Sequence, residues 1–174
     1  MFIFYFDIIG ATAEFLRDPV QALTRLEEFQ CLVRERTVTL APPGRLITFS
    51  DNVLASVAQT DPDALADIVH HTLNAADECG YGKYFGAVTA GVVNHDVNND
   101  LIHGTGASIT KEHITMLSDP YLRAAVAEKW SGDLARENRL PHPPPSIWVS
   151  EEVPMIQFAS LGGLQSGKQF DLKQ

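Results

Sequence analysis

The sequence predicts an α+β domain, with one mixed, mainly antiparallel sheet and helices packed on its faces. Aromatic and β-branched runs read as strands at residues 2–6, 45–50, 53–57, 85–93 and 146–150. Two segments between them, 19–36 and 60–79, carry apolar residues at helical spacing. Only Asp51-Asn52 separates the second strand run from the third, which predicts a tight antiparallel hairpin.

Each element has a local reason. Residues 2–6 are Phe-Ile-Phe-Tyr-Phe, apolar throughout, as a central strand buried on both faces requires. Asp18 and Pro19 cap and open a helix whose apolar set is Val20, Leu23, Leu26, Phe29, Leu32 and Val33. Pro42-Pro43-Gly44 makes a turn before the hairpin. Thr60-Asp61-Pro62-Asp63 opens a second helix, with Leu65, Ile68, Val69, Thr72, Leu73 and Ala76 on one face and Gly80 and Gly82 as stop signals. Residues 94–100, rich in Asn and Asp, predict a polar hairpin tip, and 101–103 a short returning strand. After Gly104-Thr105-Gly106, helices are expected over 108–117 and 120–129. Residues 138–145 are proline-rich and irregular, and Ile147, Trp148 and Val149 belong to a last strand. Residues 1–160 are expected to form the domain, and the Gly, Ser, Gln and Lys-rich stretch 161–174 a flexible tail.

Composition narrows the function. A chain of 174 residues with 45% hydrophobic and 20% charged residues has the makings of one ordinary core. A net charge of −9 argues against stable nucleic-acid binding, since a phosphate backbone needs a basic face. No stretch approaches the roughly 20 apolar residues of a membrane span, and Asp7 cuts the opening apolar run too short for a signal peptide. A cytoplasmic location is expected, with Cys31 and Cys79 as reduced, buried thiols.

The first chemical candidate is the pair Asp7 and Asp51, each at a strand end. If those strands are neighbours, the carboxylates converge, and converging carboxylates need a metal or a shared proton. Acids also end strands and make turns for purely structural reasons. The second candidate is His95, Asp96, Asp100 and His103, which could make a surface metal site or simply a soluble hairpin tip. His70-His71 lacks the i, i+4 spacing of a zinc pair. Gly104-Thr105-Gly106 fits a phosphate-binding turn before a helix, or a plain helix cap, and it matches neither the P-loop nor the dinucleotide-binding pattern. Arg45 and Lys83 are cations a triphosphate could meet, or ordinary surface charge.

Taken together, Phe4-Tyr5-Phe6-Asp7-Ile8-Ile9-Gly10-Ala11-Thr12, Thr48-Phe49-Ser50-Asp51-Asn52-Val53, Phe85-Gly86-Ala87-Val88-Thr89-Ala90-Gly91-Val92-Val93 and Leu101-Ile102-His103-Gly104 resemble, in order, the motifs of class III nucleotidyl cyclase catalytic domains. The resemblance covers about residues 2–117. It implies a ferredoxin-like, palm-type fold and conversion of a nucleoside triphosphate to a 3′,5′-cyclic monophosphate plus pyrophosphate. It implies Mg²⁺ or Mn²⁺, two per site, held by Asp7 and Asp51 with the Ile8 carbonyl as a minor ligand. Ile8, Gly10, Ser108 and Lys111 are the residues it implies around the nucleotide, and it implies a head-to-tail homodimer.

The sequence departs from the family at three places. Ile47 stands where the family has its purine-selecting lysine. Ser108 falls near the transition-state asparagine and Glu112 near the arginine, with Lys111 one place away. Two readings follow: a divergent cyclase, including one of the pyrimidine-using antiviral defence branch, or a catalytically inactive regulatory or dimerisation module. A metal-binding domain unrelated to nucleotides is a third.

Overall fold

The computed structural model describes residues 1–40, 46–91, 94–104, 107–117, 146–150 and 153. Within these, strands β1 (Phe2–Ile8), β2 (Leu46–Phe49), β3 (Asn52–Val57), β4 (Tyr84–Ala90) and β7 (Ser146–Val149) form one sheet in the order β2-β3-β1-β4-β7. All neighbours run antiparallel except β4 and β7, which are parallel. Three helices accompany it: α1 (Ala11–Arg17), α2 (Pro19–Thr37) and α3 (Pro62–Glu78). The expected α+β class and mixed sheet are therefore present.

The all-apolar opening run becomes the central strand. Phe2, Phe4, Phe6 and Ile8 point to one face and join the core with Phe29 and Val33 of α2 and Leu65, Ile68, Val69 and Ala76 of α3. Phe6 is the hub: its ring stacks on Phe29 with centroids 5.9 Å apart and tilts against Tyr84 at 5.1 Å. Ile3, Leu54, Ser56, Phe85, Ala87 and Trp148, on the alternate positions, are buried as well. Burial on both faces explains why β1 reads as a continuous apolar run rather than an alternation. Gly86 is required where β1, β4 and β7 crowd. A Cβ there would collide with Ile147 Cδ1 and lie 3.2 Å from the Tyr5 carbonyl oxygen.

Both long helices start on the same device. Asp18 accepts from the Gln21 amide and Asp61 from the Ala64 amide, each at 3.1 Å, and a proline follows each cap. The expected face of α3 is buried in full. On α2, Phe29 and Val33 are buried, but Val20 is 76% and Leu23 55% exposed. The first turns of α2 lie alongside α1, a helix without a buried residue, instead of over the sheet.

Several expectations are corrected. The tight turn is Ser50-Asp51, because Phe49 pairs with Asn52; Ser50 carries the positive φ of 51°. The β4 strand ends at Ala90, not 93. Residues 94–100 are not a hairpin tip and 108–117 are not a helix. Strands β5 (Asn94–Gly104) and β6 (Ala107–Leu117) pair antiparallel from Asn94↔Leu117 to Gly104↔Ala107, as a second, two-stranded sheet. Ile109, Thr110, Ile114 and Thr115 are β-branched, which lowers helix preference and favours a strand. The expected turn at 42–44, helix at 120–129, irregular segment 138–145 and tail 161–174 lie outside the described residues. No described helix is long and apolar enough to cross a membrane.

Candidate active site

Pairing of β1 with β3 brings the two sequence-predicted aspartates to one end of the sheet. Asp7 stands opposite Asn52 on β3 and Phe85 on β4. The Ile8 amide donates to the Asp51 carbonyl at 3.2 Å, and the Ile9 amide to the Lys83 carbonyl at 3.0 Å. The ladder thus continues to the last residue before Gly10, whose φ of 94° turns the chain into α1.

Phe6, fully buried between Phe29 and Tyr84, fixes the strand's alternation. Asp7, next along, leaves the sheet on the face away from α2 and α3 and is half-buried. Asp51 sits in the two-residue turn, also half-buried. Its Oδ1 accepts from Asn52 Nδ2 at 3.0 Å, and Gln30 Nε2 of α2 donates to the adjoining Ser50 carbonyl at 2.6 Å. The turn is therefore tied to α2 rather than left loose.

Asp51 lines a cavity of about 300 Å³ with Thr12 and Glu14 of α1, Leu23 and Leu26 of α2, and Tyr81. That volume is at the lower end for small-molecule sites. Asp7 is not part of its lining. Burial raises the pKa of the Tyr81 hydroxyl against the opposing effect of Arg25, so it stays a neutral donor.

Ser108 and Lys111 lie on β6, opposite His103 and Asp100 of β5. No helix follows Gly104, so the phosphate turn at a helix N-terminus is absent among the described residues. His95 and His103 are eight residues apart on one strand, roughly 26 Å when extended. Among the described residues, no three His, Cys, Asp or Glu side chains are grouped to hold a metal. His70 is exposed and bonds Asn74 at 2.9 Å. Lys83 is exposed, and Arg45 lies outside the described residues. Cys79 is buried, and burial pushes its thiol pKa up, whereas Cys31, expected to be buried, is only partly so.

Glu14, Arg25 and Tyr81 were not legible as site residues. Their meeting depends on the angle between α1 and α2, which no local pattern encodes.

No protein-family model and no curated protein matches the sequence. Solved structures do. A bacterial light-regulated adenylyl cyclase aligns with a TM-score of 0.56 at 15% identity, over 76% of this chain and 70% of that one. A second structure of a bacterial light-regulated adenylyl cyclase gives 0.54 at 15%, over 76% and 40%. A class III adenylyl cyclase-like ATP-binding protein from Pseudomonas aeruginosa gives 0.52 at 16%, over 96% and 35%. The chain has the class III cyclase fold. The match covers only 40% and 35% of the last two of those chains. At these identities the fold is what is shared, and the chemistry is argued from the aspartates.

Proposed function

We propose that this domain is a divergent, metal-dependent nucleotidyl cyclase acting on a nucleoside triphosphate. The observation that carries the reading is the placement of Asp7 and Asp51 at adjacent strand ends, joined by the Ile8–Asp51 backbone bond. Two hard-oxygen carboxylates at one sheet end fit Mg²⁺ or Mn²⁺, which need only one or two protein carboxylates beside water and phosphate oxygens. When bound, two such cations supply charge neutralisation of the triphosphate and favour ionisation of the ribose 3′-hydroxyl.

The protein's own task is positioning. Asp7 is aimed by the buried Phe6 beside it, and Asp51 by Asn52 and by the Gln30 tie to its turn. In the reaction the ribose 3′-oxygen bonds to the α-phosphorus, and the bond from that phosphorus to the bridging oxygen breaks. Pyrophosphate leaves with the electron pair. A head-to-tail homodimer in the cytoplasm belongs to the same reading.

A second reading is favoured by β6. Ser108 and Lys111 fall on a strand where the resemblance implies a helix, so a domain that binds nucleoside triphosphate without turnover is the alternative. A relative of the same fold is described as an ATP-binding protein. Incubating the purified protein with Mn²⁺ and each of the four ribonucleoside triphosphates separates the two. Cyclic monophosphate plus pyrophosphate by mass spectrometry supports the cyclase. Saturable nucleotide binding with no product supports the silent module.

A further inference from the structure

Helix α1 leaves directly from the strand end that carries Asp7, yet it is poorly anchored. None of its side chains is fully buried, and its N-cap, Gly10, makes no side-chain bond. Seven residues do not form a stable helix in water without tertiary support. Only Ala11 and Glu14 are even half-buried. Ala11 packs its methyl on the core. Glu14, with a side chain 13% exposed, accepts from Arg25 Nη1 at 2.5 Å.

Arg25 is itself held from two other sides. Its Nε donates to the Cys79 carbonyl, at the C-cap of α3, and its guanidinium lies 4.1 Å from the centroid of the Tyr81 ring. One planar, permanently charged group thus joins α1, α2 and the end of α3, which the point charge of a lysine cannot reproduce. Thr12 and Glu14 of α1, Tyr81 under the guanidinium and Asp51 all line one cavity.

We propose that Arg25 is a positioning residue for the cavity that Asp51 lines: through Glu14 it pins α1, and with it Thr12, at the wall of that cavity. The inference rests on the reading of that site as a nucleotide site, and its test is chosen to fail separately. Hydrogen exchange along the full chain is measured for wild type, Arg25→Met and Glu14→Gln. The amides of Glu14 and Asp18, which bond to the Gly10 and Glu14 carbonyls, report α1 directly. Both variants are expected to exchange there about tenfold faster or more, with β1 unchanged. In turnover assays KM for the triphosphate rises while kcat stays near wild type. Wild-type protection of α1 in a folded Glu14→Gln variant overturns the proposal, as does a fall in kcat with KM unchanged. Should wild type turn over no nucleotide, the cyclase reading falls and the exchange result alone decides the role of Arg25.

Discussion

The Ile8 amide donates to the Asp51 carbonyl across 3.2 Å, and that bond sets two aspartates from distant parts of the chain at one sheet end. Its donor follows Asp7 and its acceptor belongs to Asp51, so the main chain sets the two backbone positions beside each other. Replacing either carboxylate leaves the bond in place. Asp7→Asn and Asp51→Asn are therefore expected to keep the fold, with melting temperatures within a few degrees of wild type. Both are expected to lose Mn²⁺ binding by calorimetry. Wild-type Mn²⁺ binding in both would remove the aspartates from the site.

Gly86 is a tight backbone position in the sheet. Alanine there would press on Ile147 and approach the Tyr5 carbonyl, and the central strands have no room to give. Gly86→Ala is expected to cost about 1–3 kcal/mol in denaturant unfolding. Pairing it with Ile147→Val should return part of the loss, since the collision is with the Ile147 δ-methyl.

The cap of α3 gives a cleaner number. Asp61 satisfies the Ala64 amide at the start of a helix whose inner face is wholly buried. Asp61→Ala is expected to cost about 1 kcal/mol, seen as a lower denaturant midpoint with an unchanged slope.

How far these features were legible depended on how local they are. The α3 helix was readable because its cap, its first-turn proline and its buried face all lie within one short stretch. β1 was readable because a strand buried on both faces leaves a run with no polar interruption. The hairpin was placed one residue late: Ser50 takes the positive φ, although Asp and Asn tolerate it better, because strand register set by burial of Val53 and Ala55 outweighs turn preference. β6 was misread as a helix. Pairing with β5 along its whole length, together with the β-branched residues at 109, 110, 114 and 115, makes it a strand. Of the candidate site, Asp7 was readable near the end of a strand and Asp51 in a hairpin turn. The Glu14–Arg25 contact was not, because it arises from helix packing.

Alkaline stability reports the aromatic core beside Asp7. Burial, and secondarily the charge of Asp77, pushes the Tyr84 pKa up to about 12 from an ordinary 10.0. The neutral phenol is the form the fold accepts. Its contribution is thus complete below pH 10 and disappears as pH rises toward about 12, where the unfolded chain has already lost the proton. Unfolding free energy is expected to fall by on the order of 2 kcal/mol across that window. Tyr84→Phe should flatten the decline, and an identical slope in that variant would assign it elsewhere.

The most direct test of the two-aspartate site is product formation by wild type and Asp51→Asn side by side, with Mn²⁺ and each ribonucleoside triphosphate in turn. The expected result is a cyclic monophosphate and pyrophosphate from at least one triphosphate with wild type, and none with the equally folded variant. Equal product from both proteins would contradict the role of Asp51, and no product from a folded wild type would contradict the cyclase itself.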